Sequence, residues 1–137
     1  MLHQLRWKAI VMGLIAGIIA GAIWSVVEVI VLPHDSYHLD PSNPLVATPT
    51  YIILSLIGAF GSSLVAGWVS AHLAKRAEVA NSLAVGGITV LLSAVLFFPL
   101  AMNKLPLSYN IPAFALTVPF SILGGLIRRK ARVRVDP

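Results

Sequence analysis

The chain has 137 residues, of which 58% are hydrophobic and 11% charged, with a formal net charge of +5 and a mean hydropathy of +0.88. A soluble domain of this length has too little interior to hide so much apolar surface, so the expected solvent is lipid and the expected class an all-α integral membrane protein. Cysteine is absent, which excludes disulfides and thiolate metal sites.

The N-terminal "MLHQLRWK" has the positive start of a signal peptide, but the apolar run behind it covers residues 9–32. A signal h-region is only about 7–15 residues long, so an uncleaved first span is expected. Within it, "GLIAGIIAGAIWSVVEVIVLP" places a glycine at every fourth position and then one acid. At about 100° per residue from Gly13, Gly17 falls near 40°, Gly21 near 80°, Trp24 near 20° and Glu28 near 60°. Small residues four apart mark close helix approach in lipid. Glu28 is therefore expected to face a protein neighbour, not the acyl chains. It also sits four residues before Leu32, about 6 Å from the helix end, where the penalty for an intramembrane charge falls.

The connection "PHDSYHLDPSNPLVATP" follows. Its prolines predict an irregular loop. His34, Asp35, His38 and Asp40 are the right types to ligate zinc or copper, although their spacing matches no specific ligand motif. The second span is expected over 49–74. Ser55, Gly58, Ala59, Ser62, Ser63, Ala66 and Ser70 collect on one side, while Ile57, Phe60, Leu64 and Trp68 collect on the other. The small side is expected to pack on helices and the bulky side to meet lipid. His72, beside Lys75 and Arg76, reads as interfacial.

The short "KRAEVAN" predicts an antiparallel hairpin between the second span and a third over 82–101, where Gly86 and Gly87 extend the small-residue pattern. After "MNKLPLSYNIP" comes a fourth span over 111–127, with Gly124 and Gly125. Pro119 interrupts it, and either neighbouring helices or the hydroxyls of Thr117 and Ser121 are expected to satisfy the backbone groups that the proline frees. Tyr37, Tyr51 and Tyr109 suit an aromatic belt. Tyr51, Ser55, Asn103 and Lys104 match Glu28 in depth, and Lys104 is its preferred ion-pair partner.

Basic residues fix the orientation. Arg6 and Lys8 precede the first span, Lys75 and Arg76 join the second and third, and Arg128, Arg129, Lys130, Arg132 and Arg134 follow the fourth. With four spans these fall on one face, leaving only Lys104 opposite. The positive-inside rule then predicts both termini in the cytoplasm, with two antiparallel hairpins in a single domain. The tail over 128–137 is expected to contact anionic headgroups, each basic residue adding about 1 kcal/mol. It carries no interleaved aromatics, so nucleic acid is not an expected partner.

No phosphate-cradling loop, Gly-x-Ser-x-Gly elbow or His-Glu-x-x-His helix occurs, and no cofactor is expected. The first expectation is a non-enzymatic accessory subunit of a larger membrane complex, or a small homo-oligomer. Two alternatives are a proton- or cation-coupled transporter using Glu28, and an outer-face metal-binding subunit of a redox complex.

The stretch "GLIAGIIAGAIWSVVEVIVLP" resembles the opening of the YagU-like small inner-membrane proteins, and "FFPLAMNKLP" is similar to the same group. The resemblance implies a glycine-rich first span in a prokaryotic cytoplasmic membrane and no defined activity. The chain is also similar to the small multidrug transporters in length, span number and an acid in the first span. That likeness implies proton coupling by Glu28. Here, however, Glu28 lies near the helix end and the aromatic lining of a drug cage is missing.

Overall fold

In a computed structural model, which describes residues 6–32, 48–75, 77–101 and 107–133, the chain is all-helical. The elements are α1 (Trp7–Val31), α2 (Pro49–Ala74), α3 (Glu78–Ala101) and α4 (Leu107–Val133). Each is long and apolar enough to cross a membrane. The first, at 25 residues, reaches about 38 Å against a hydrocarbon core of about 30 Å.

Local chemistry sets the ends. Thr48 accepts a hydrogen bond from the Tyr51 amide at 3.3 Å, and Pro49 occupies the first turn where its missing N–H is harmless. The α1 start borrows its cap from another helix, the Arg6 amide donating to Asn81 Oδ1 at 3.0 Å. Between α2 and α3 stand Lys75 and Ala77, both left-handed with φ of 57° and 55°. Side chains in that region cost roughly 1 kcal/mol each, which the surrounding contacts must offset.

The fourth helix is longer than the expected 111–127 and runs continuously through Pro112 and Pro119. Of the two expected routes, the hydroxyls are not the one taken. Thr117 donates to the Ala113 carbonyl at 2.5 Å and Ser121 to the Ser82 carbonyl at 2.7 Å. Neither therefore serves the Ala115 carbonyl that Pro119 deprives of its helical donor. Packing on α2 and α3, not hydroxyl repair, keeps the segment helical. The helix also takes in the first part of the basic tail, to Val133.

The second helix is central and touches the other three. Along α1 and α2 the contacts run in opposite numerical order: Gly13 on Ala66 and Ser70, Gly17 on Ala66, Gly21 near Ser62, Trp24 on Gly58. Against α4 they rise together, Phe60 stacking on Phe120 and Leu64 meeting Gly124. This corrects the expected lipid exposure of the whole bulky side of α2. Phe60 and Leu64 are half-buried against α4, because α2 is covered on two flanks, while Ile57 and Trp68 remain exposed.

The interior is small and polar. Ser70, Asn81 and Ser82 are 0% exposed, while the apolar core is a compact cluster of Ile10, Ala66 and Val85. The exterior is aliphatic, with Ile18 at 70% and Ile30 at 77% exposure. This inverted pattern suits a chain whose helices associate by close packing in lipid.

Candidate functional site

Three groups of residues stand out, one in the middle of the bundle and one at each end. In the middle, glycines allow backbones to meet. A Cβ on Gly13 would stand 2.7 Å from Ser70 Cβ and one on Gly17 2.9 Å from Ala66 Cβ, closer than real contacts allow, whereas Gly21 has ordinary clearance from Ser62 at 3.9 Å. Ala59 lies half-buried on the same helix, its carbonyl accepting from Ser62 Oγ at 3.0 Å and Ser63 Oγ at 2.7 Å. The Ser55 and Ser70 hydroxyls are buried with no partner among the described residues.

Deeper in, two serines stitch three helices. Ser121 Oγ on α4 donates to the Ser82 carbonyl on α3 at 2.7 Å, and Ser82 Oγ has both the Gly67 carbonyl on α2 (2.9 Å) and its own Glu78 carbonyl (3.0 Å) within reach. The donors approach because Gly67 lies directly on the Ser121 backbone and Gly125 on the Ser82 side chain. The neighbouring Gly124 serves the other flank, against the Leu64 carbonyl of α2. Adjacent glycines on α4 thus meet two different helices. The pairing of Ser82 with Ser121 was not anticipated from sequence. Its available signal was the spacing of Ser121 one turn before Gly124 and Gly125.

One end holds the acid. The Trp24 indole lies on Gly58, where any side chain would collide with the ring. Its Nε1–H is shared between Glu28 Oε1 and the Leu54 carbonyl, each at 3.0 Å. Glu28 is half-buried there. Tyr109 lies within electrostatic range of both Tyr51 and Glu28. The structure thus gathers Trp24, Glu28, Tyr51 and Tyr109 at one end. Tyr109, read from the sequence as an aromatic-belt residue, is thus also a neighbour of the acid. Lys104 lies outside the described residues, as do His34, Asp35, His38 and Asp40. Among the described residues no three His, Cys, Asp or Glu side chains are placed to hold a metal ion.

The opposite end is basic. Arg6 sits beside Asn81, and Arg132 reaches the Lys75 carbonyl and Glu78 Oε1, the latter at 3.4 Å. The beginning of α1, the α2–α3 turn and the end of α4 therefore meet. Arg128 is half-buried on α4, while Arg129 and Lys130 are exposed, and Arg134 lies outside the described residues. Of the tail cations, Arg132 is thus partly engaged within the chain.

No known protein family, curated protein or solved structure matches the chain. The geometry itself carries the functional reading.

Proposed function

We propose that this chain is a non-enzymatic accessory subunit of a larger membrane assembly, built as two antiparallel hairpins with both termini in the cytoplasm of a prokaryotic cell. The observation that carries the reading is the lopsided packing of α1. Its glycine stripe is occupied by α2 within the same chain, its first turns around Ile10 also meet α3, and its outward side is exposed aliphatic surface. Small residues that would otherwise join copies are used to hold the monomer together. What remains for a partner is the outward face around Ile15, Ile18, Ile19 and Ile23. The resemblance to YagU-like proteins accords with a small membrane subunit and adds no activity.

The state of Glu28 weighs against the transporter alternative. Its carboxylate accepts from Trp24 beside a second acceptor, the Leu54 carbonyl, so the acid and the indole lock the end of α1 onto α2. A proton carrier needs its acid released in each cycle. The basic tail then acts as an anchor to anionic headgroups, in keeping with the positive-inside rule.

The test is gentle extraction of the full chain with its neighbours, comparing wild type with an Ile18→Trp, Ile23→Trp variant. Stoichiometric co-purification of a larger membrane subunit that the double variant loses, with its own helicity intact, is the expected result. A pure homo-oligomer, or a proton-driven flux abolished by Glu28→Gln in a protein that still assembles, would overturn the proposal.

A further inference from the structure

We infer that the basic end holds one anionic phospholipid, its phosphate on Arg128 and its acyl chains along α2 between α1 and α4. This deepens the reading of the tail as a headgroup contact and rests on it. It singles out one arginine where that reading treats the tail as a diffuse charge.

Arg128 has a defined place. Gly124, one turn before it, packs on the Leu64 and Trp68 backbone. Arg132, one turn after it, donates to the Lys75 carbonyl. Arg128 therefore lies on the α2–α4 seam between Trp68 and Lys75. It is half-buried, and its Nε is fully shielded with no acceptor among the described residues. Among the described residues no carboxylate is placed to compensate it. Of the two described, Glu28 is at the other end, and Glu78, only 8% exposed, is engaged by Arg132. A guanidinium cannot shed its proton, so a partly desolvated one without an anion is unfavourable. A phosphate diester fits its terminal edge, because two oxygens can accept from the two Nη groups at once.

The surface beside it suits lipid chains. Taking Gly61 as zero at about 100° per residue, Ile57, Val65, Trp68 and His72 all fall within roughly 40° of it. These positions lie between the flank of α2 that meets α1 and the flank that meets α4. No atom lies within 4 Å of where a Gly61 Cβ would stand, which leaves an open notch in that stripe. At its basic end the exposed Trp68 ring stacks on His72, with centroids 5.4 Å apart, at the level where an aromatic meets glycerol and headgroup. Lys75 and Arg129 add positive charge nearby, so an anionic headgroup is the complementary choice. Free phosphate satisfies Arg128 but leaves the notch empty, whereas a phospholipid fills both.

The experiment uses the full chain, delipidated in neutral detergent and titrated with phosphatidylglycerol, phosphatidylcholine or inorganic phosphate while thermal unfolding is followed. Phosphatidylglycerol is expected to raise Tm saturably at one equivalent, with neither of the others doing so. Arg128→Ala should abolish the rise and Gly61→Leu should weaken the lipid severalfold, while Arg129→Ala with Lys130→Ala should leave it largely in place. If Arg128→Ala does not fold, Arg128→Lys decides: severalfold weaker binding is expected, and wild-type binding overturns the assignment. An equal response to inorganic phosphate, or no response to any lipid, also overturns it. Loss in the Arg129/Lys130 variant with retention in Arg128→Ala would leave only the diffuse tail.

Discussion

Ser121 Oγ donates to the Ser82 carbonyl at 2.7 Å across the α3–α4 seam, at a depth where both residues are shielded from solvent and lipid. The bond exists because glycines on either side remove the side chains that would hold the backbones apart. In lipid the gain is modest, since the separated helices also find polar partners. Ser121→Ala is expected to destabilise the bundle by about 0.6 kcal/mol, and at most roughly 1.7. Reversible unfolding in mixed micelles measures this. In a cycle with Ser82→Ala, the couplings through Gly67 and Ser121 should appear as separate terms, because Ser82 donates from its side chain but accepts with its backbone.

Steric contact should matter more than the hydroxyls. Gly67→Ala puts a methyl group into the Ser121 backbone, whereas Gly61→Ala adds one to open space. The first is expected to cost about 1–3 kcal/mol and the second almost nothing. Equal unfolding curves for the two variants would contradict the α2–α4 contact described above.

At the acidic end, the indole N–H should prove more important than the negative charge. Trp24→Phe keeps a ring over Gly58 but removes the donor shared by Glu28 and the Leu54 carbonyl, leaving both acceptors without it. A loss of about 1–3 kcal/mol is expected. Glu28→Gln retains an oxygen that accepts from Trp24 and should change stability little. A larger loss from Glu28→Gln than from Trp24→Phe would show that the charge itself is what the fold requires.

The Arg132–Glu78 pair should contribute weakly. Its arginine side chain is 48% exposed, so solvent screens the 3.4 Å contact. Arg132→Ala is nevertheless expected to cost about 1–3 kcal/mol, because it leaves the Glu78 carboxylate, only 8% exposed, without its cation. The screened part of that difference should shrink as salt rises. Circular dichroism melts at low and high ionic strength provide the comparison.

The sequence alone determined the solvent, the number of helices and the positions of the charges. Composition excluded a soluble core, and runs of about 20 apolar residues define membrane-crossing helices because the bilayer forbids unsatisfied backbone. The span expected over 111–127 is shorter than the helix Leu107–Val133, because hydropathy marks the apolar run and not the helix that carries it. Helical continuity through Pro112 and Pro119 depends on neighbours in space, which hydropathy does not register. Periodicity put Gly13, Gly17, Trp24 and Glu28 on one stripe, but it could not say what covered that stripe or whether the cover came from the same chain.

Tertiary structure decided those matters. Only the packed helices put Gly13 on Ser70, turn Trp24 onto Gly58 and bring Ser82 to Ser121 from 39 residues away. Serine and glycine are common along every helix, so their spacing gives a face and not a partner. The partner follows from which backbones can approach closely enough for a hydroxyl to reach a carbonyl. The same distinction separates Arg132 from Arg128. They lie one turn apart in one basic run, yet the fold gives Arg132 a carboxylate and leaves Arg128 half-buried without one among the described residues.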